Sequence, residues 1–368
     1  MVTEILAQPR RLRSRCALLA LLIAPLSGCG TLYIAQAAQG QIRVLRARQP
    51  ITAVIAHPDT TAKLRSTLQT VLDARNYASR ELGLPDNQSY RSYAQLDRPY
   101  VVWNVVATPE FSVEPRRWCF PVAGCVAYRG YFQQARARHF ANALASTGDD
   151  VTVYGVSAYS TLGKFADPVL SSMIGYGDVE LAAIIFHELA HQLIYVKNDS
   201  SFNESFATVV EKAGLRRWLA AQGRTAELQR HIARQLRQSE VVRSFSAARE
   251  ELALLYSTKL EKQEMRSRKR EILETLARQI KVMERRDGAS DGYDVWLREG
   301  LNNAHLASVG TYFDCVPGFE RLLSEAGGNL PAFYAHVRTV ARLKRSERQT
   351  LLCMPNRNRP SAQRNEHG

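Results

Sequence analysis

Asp178-Val-Glu-Leu-Ala-Ala-Ile-Ile-Phe-His187-Glu188-Leu-Ala-His191-Gln-Leu-Ile194 is the stretch on which the fold turns. Leu181, Ile184, Ile185, Phe186, Leu189, Leu193 and Ile194 put apolar side chains on nearly every face of a helix. A helix of that kind is buried. Asp178 is a candidate N-cap, and Glu180 suits the positive end of the helix dipole. Three polar residues interrupt the apolar run, and buried polar groups must find partners. His187 and His191 are four apart, so both imidazoles share one face and can reach one metal ion. Glu188 lies beside that face, where a carboxylate can take a proton from a water next to the metal. The plain alternative is a pair of histidines satisfied inside a core. The His-Glu-x-x-His order in the most apolar helix of the chain favours zinc.

A hydrolytic zinc site needs a third protein ligand and an open position. Glu204, in Asn203-Glu204-Ser205-Phe206-Ala207, is the first candidate, with twelve residues between it and His191. That gap lets the chain turn and run a second helix, Phe202 to Lys212, back past the metal, with Gly214 as its end. Glu211 is the alternative ligand, seven positions on and on the same helix face. Glu211 or Asp199 can instead orient the histidines from behind. No third histidine follows at short spacing, which argues against the metzincin pattern.

Upstream, residues 60–84 read as a helix through Leu64, Leu68, Val71 and Leu72. Tyr100 to Ala107 reads as a strand, 132–146 as a helix ended by Gly148, and Val151 to Ser157 as a strand. The order strand, helix, edge-like strand, buried helix is that of a zincin catalytic region. Its edge strand can pair with extended substrate backbone, which places Tyr154, Gly155 and Tyr159 near a cleft. Downstream, 215–290 is rich in Arg, Glu, Leu and Gln and reads as a long helical hairpin arm. Residues 291–350 read as a helical closing region, and 351–368 as a disordered tail. The expectation is an α+β fold. It has a zincin-like region over 29–214 with a small mixed sheet, and a mostly helical C-terminal part.

Residues 1–28 read as an address. Arg10, Arg11, Arg13 and Arg15 precede an apolar run from Ala17 to Leu26, which is too short to span a bilayer. Leu26-Ser27-Gly28-Cys29 resembles a bacterial lipobox, so Cys29 is the expected lipidation site. The expected location is the bacterial cell envelope, lipid-anchored to a membrane and facing the periplasm. Gly30 alone does not fix the leaflet. In that oxidising compartment Cys119 and Cys125 are expected to pair, with Cys315 and Cys353 as a second bridge. A thiol zinc site is disfavoured because no CxxC pair exists. The chain of 368 residues is 45% hydrophobic and 23% charged, enough to build a sizeable core. Its formal charge of +14 suits anionic surfaces. No nucleic-acid motif accompanies that charge, so no nucleic-acid partner is expected.

Several stretches together resemble the bacterial putative aminopeptidases, envelope lipoproteins of the gluzincin group. They are Cys119-Phe-Pro-Val-Ala-Gly-Cys125 with Tyr128-Arg129-Gly130-Tyr131-Phe132, Tyr159-Ser160-Thr161-Leu162-Gly163, and His187 to Gln192. Phe202 to Ala207 and Asn302-Asn303-Ala304 with Thr311-Tyr312 complete the set. The resemblance spans about residues 29 to 340. It implies zinc on His187, His191 and Glu204, with Glu188 catalytic. Tyr312 is a candidate donor to a developing oxyanion, while the lone His305 and His336 receive no role. The function expected from all this is a zinc peptidase, an aminopeptidase by resemblance, acting on peptides. The alternatives are a zinc endoprotease and a non-catalytic scaffold or binding lipoprotein.

Overall fold

A computed structural model of the chain describes residues 29–120, 124–288 and 292–353. The expected signal segment 1–28 and the tail from 354 on lie outside the described residues. In chain order the first elements are α1 (Cys29–Arg46), β1 (Arg48–Pro50), α2 (Ile51–Ala56), α3 (Ala62–Arg80), β2 (Ser92–Ala94) and β3 (Val102–Pro109). The short strands β4 (Trp118–Phe120), β5 (Gly124–Val126) and β6 (Arg129–Tyr131) follow, then α4 (Gln134–Ser146), β7 (Asp149–Val156), β8 (Val169–Leu170) and α5 (Ser171–Ile174). The remaining elements are helical. They are α6 (Asp178–Leu193), α7 (Ser200–Ala221), α8 (Thr225–Tyr256), α9 (Lys262–Asp287), α10 (Asp294–Glu299), α11 (Asn303–Phe313), α12 (Val316–Glu325), α13 (Leu330–Ala341) and α14 (Arg345–Leu352). The architecture is α+β, mostly helical, with small sheets.

Strand β3 is buried on both faces except at Pro109, which explains its continuous apolar run. It is the centre of an antiparallel sheet in the order β6-β3-β7. Trp103 and Val105 point towards Ala137 and Ala141 of α4. Val102 and Asn104, one register step away, line a cleft on the opposite face. Gly130 lies across from Asn104 in β6. A Cβ there would come within 2.9 Å of Val102 and 3.2 Å of Asn104. The strand read from Val151 to Ser157 is β7, at the sheet's edge.

The mixed sheet expected at the site is a separate one. It joins β1, β2 and β8, with β1 antiparallel and β8 parallel to β2. Its strands are only two or three residues long, too short to show an alternating pattern.

Helices α6 and α7 form the central layer, against α3 and the C-terminal helices. Two sequence-based expectations are corrected here. Asp178 is the first helical residue of α6, and Gly177 occupies the cap position at φ 88°. That left-handed backbone suits glycine. Helix α7 does not end at Gly214 but runs on to Ala221. Gly214 is buried in mid-helix, where a Cβ would stand 2.7 Å from Leu82 and 3.1 Å from Phe186. The close approach to α6 offsets the roughly 1 kcal/mol that a glycine costs a helix.

The expected hairpin arm corresponds to α8 and α9. Its apolar seam, including Val241, Phe245, Leu252, Leu273 and Ile280, continues into Leu306 and Val309 of α11. The arm is therefore docked on the body. Helix α14 reaches Leu352, two residues into the stretch expected as tail. Among the described residues no helix is long and apolar enough to cross a membrane.

Candidate metal centre and cleft

Helix α6 carries His187, Glu188 and His191, and α7 carries Glu204 four residues after its first. The turn between them is fixed by two residues. Asp199 caps α7, its side chain accepting from the Phe202 N–H at 3.3 Å. Asn203 closes the loop by accepting from Val196 N at 2.7 Å and donating to Val196 O at 2.8 Å. The result brings Glu204 Oε2 to 3.3 Å from His187 Nε2 and 3.5 Å from His191 Nε2. One ligand atom from each of the three residues lies within 4.8 Å of the others.

These residues fit a small divalent ion. With metal–ligand bonds near 2.0–2.1 Å, tetrahedral zinc sets its donors about 3.3 Å apart. The His–Glu separations match that spacing. Two imidazole nitrogens and one carboxylate oxygen are also a donor set that zinc accepts.

Charge pairing between the imidazoles and the carboxylates draws the donors together, and a bound cation would take the place of the imidazole proton. Burial would raise the Glu204 pKa, but His191 and His187 outweigh it and bring it down to about 2. Burial would lower that of His187, yet hydrogen bonds to Glu204 and Glu211 hold it well above its ordinary value. Burial pushes the Glu188 carboxyl up, against the attraction of His191 and His187. A base whose carboxylate is destabilised in this way takes up a proton more readily.

Glu211, weighed above as ligand or as orienting group, lies behind His187 with Oε2 3.0 Å from Nδ1. It is thus on the ring nitrogen that Glu204 does not touch. Asp199 does not orient a histidine. Its second oxygen receives Nε of Arg348 at 2.9 Å, and its first caps α7, so both are committed elsewhere.

Tyr312 lines the cleft from the end of α11. That helix is pinned to β7 at its start, where Asn302 donates to Val151 O at 3.0 Å and the Asn303 N–H donates to Asp150 Oδ2 at 2.8 Å. Burial first, and the Glu204 charge second, raise the Tyr312 phenol well above 10, and the same two causes raise Tyr128. Both phenols therefore remain donors. Tyr128 was missed as a site residue, although it stands in one of the quoted stretches. Its only local signal is the glycine-flanked turn after Cys125. Tyr154 hydrogen-bonds both Asn104 and Tyr312. Tyr159 also lines the cleft, whereas Gly155 has the Tyr100 ring in the space a Cβ would need.

The structure joins Cys119 to Cys125 across β4 and β5, and Cys315 to Cys353. The first bridge sets Phe120 in the cleft wall, stacked on Tyr33 of α1 with centroids 5.1 Å apart. His305 is a packed residue. Its Nδ1 accepts the Asn302 N–H at 3.0 Å, and its ring lies 4.7 Å from Trp296.

Fold and site together define an α+β protein with a cleft that gathers two histidines and a glutamate able to hold a metal ion. The chain belongs to the putative aminopeptidase family, whose model matches residues 32–352. That description places it with the peptidases. No curated protein and no solved structure matches the chain.

Proposed function

We propose that this protein is a zinc-dependent peptidase of gluzincin type, with a zincin-like catalytic region, hydrolysing peptides in the bacterial cell envelope. We place it on a membrane through a lipid on Cys29. The observation that carries the enzymatic reading is the convergence of His187, His191 and Glu204 beside the buried Glu188 in one cleft.

His187, His191 and Glu204 would hold the ion, which when bound polarises the scissile carbonyl and acidifies the attacking water. Glu188 accepts the water proton on its carboxylate and returns it to the leaving nitrogen. Its raised pKa suits both directions of that transfer. Tyr312 and Tyr128 line the same cleft, and their hydroxyls can donate to the oxyanion as charge develops on it. Glu211 holds the His187 ring by Nδ1, leaving Nε2 free to bind metal. The apolar cleft wall lowers the local dielectric and strengthens each of these contacts.

The test combines metal analysis with hydrolysis. Wild type is expected to bind one zinc per chain and cleave peptides. Glu188→Gln is expected to keep the metal and lose at least about a hundredfold in rate. Folded protein without metal in either form would remove the enzymatic reading.

A further inference from the structure

A free peptide N-terminus is mostly an ammonium at neutral pH, its pKa being about 7.7–8.0. Burying it without a counter-charge is costly. A cleft built to seize that end therefore needs a carboxylate to spare. The described lining contains two carboxylates, Glu188 and Glu204. Glu204 is committed to His187 and His191. Glu188 is the proposed base and must stay open to the attacking water. Asp167, whose charge reaches Glu188, is turned away. Its two oxygens accept the Thr161 hydroxyl at 2.8 Å and the Thr161 N–H at 2.9 Å.

The rest of the wall is largely aromatic and aliphatic, with Asn104, Ser160, Ser200 and Asn203 as its neutral polar groups. Tyr33 stacks on Phe120, and Phe132 meets Tyr159 edge-on at 5.9 Å. Val156 and Leu162 lie in the same wall. The rings come from four separate places: α1, the Cys119–Cys125 hairpin, the residue after β6 and the loop after β7. Such a wall removes water from a large apolar side chain and offers an ammonium no counter-charge.

We propose that this cleft takes peptides by a bulky apolar side chain next to the scissile bond, with the amine side of the chain blocked or continued as a neutral amide. Tyr33 and Phe120 form the wall of that subsite. The inference rests on the peptidase reading above and goes beyond the family's description, which points to a free amine.

Four matched peptides test it on the full-length, zinc-loaded chain. They carry phenylalanine or alanine before the scissile bond, each with a free or an acetylated amine. Hydrolysis is followed on wild type, and equilibrium binding on Glu188→Gln. The acetylated phenylalanine peptide is expected to be best in both assays. It should lead its alanine counterpart by at least about tenfold, and the free-amine form by about as much. Tyr33→Ala should shrink the phenylalanine-over-alanine ratio several-fold while its circular dichroism stays that of wild type. Preference for the free amine in both assays would overturn the inference and leave the peptidase reading standing. Binding in the expected order without hydrolysis would overturn the peptidase reading and uphold the subsite. No binding of any of the four peptides would overturn both.

Discussion

The Glu211 carboxylate lies 3.0 Å from His187 Nδ1, while Glu204 faces Nε2 of the same ring at 3.3 Å. One imidazole is thus held between two carboxylates contributed by one helix, α7. Glu211→Gln keeps an acceptor for the Nδ1 proton but loses the charge that makes Nε2 a stronger donor to metal. Zinc affinity is expected to fall about 10- to 100-fold. Competition with a chromogenic chelator measures it. Unchanged affinity would reduce Glu211 to a packing role.

Tyr312 offers a second test, because its phenol is tied to Tyr154 beside Glu204. Tyr312→Phe removes one hydroxyl and keeps the ring. The expected loss is about 10²–10³ in kcat, the usual cost of one oxyanion donor. KM and zinc content should hardly move. A rise in KM at constant kcat would instead make Tyr312 a substrate-binding group.

Arg348 reaches Asp199 from α14, with Nη2 2.8 Å from Oδ2, and both groups are buried. Removing one partner of a buried pair strands the other. Arg348→Ala is expected to cost about 3–5 kcal/mol in denaturant unfolding. Asp199 also caps α7, so the same variant should loosen the turn that delivers Glu204 and weaken zinc binding. Loss of stability with intact zinc affinity would separate the two effects.

Asp167 supplies a pH signature. Burial pushes its carboxyl up to about 6, against hydrogen bonds from Thr161 and the charge of Arg48. The unfolded chain releases that proton near 3.9. Below that value both states hold the proton and the stabilising contribution is complete. It is lost as pH rises through about 6, where the folded state must ionise a buried acid. Asp167→Asn resembles the protonated form, so wild type should lose up to about 3 kcal/mol relative to the variant between pH 4 and 7. Parallel stability curves for the two proteins would contradict the raised value.

The Cys315–Cys353 bridge closes 38 residues and ties the end of α14 to the start of α12. Replacing both cysteines by serine is expected to lower unfolding stability by about 2–4 kcal/mol. Reductant should do the same to wild type and nothing further to the variant. Equal sensitivity of both proteins to reductant would assign the effect to Cys119–Cys125.

The sequence made the site's own helices legible and hid what ties them down. His187, Glu188 and His191 stand out because a local 3.6-residue pattern frames them, and the return helix with Glu204 follows from chain length alone. The length of α7 was not legible. Gly214 reads as a terminator until Leu82 and Phe186 are seen against it. Asp199 looked like a helper of the histidines because its partner Arg348 is 149 residues away. The strands of the second sheet are too short to alternate. Of the cleft wall only Tyr159 was foreseen near a cleft, through the strand before it. Tyr33, Phe120 and Phe132 come from three unrelated segments, and no local pattern links them to it.

Helix α1 gives the cleft a place as well as a wall. Tyr33 comes one helical turn after Cys29, a rise of only about 6 Å along the axis. If Cys29 carries the proposed lipid, no slack tether separates bilayer from cleft. A rigid helix would then set the mouth at a fixed working height, close to the headgroups. Such a peptidase would search a plane rather than a volume, meeting only those chains that lie along the membrane or emerge from it.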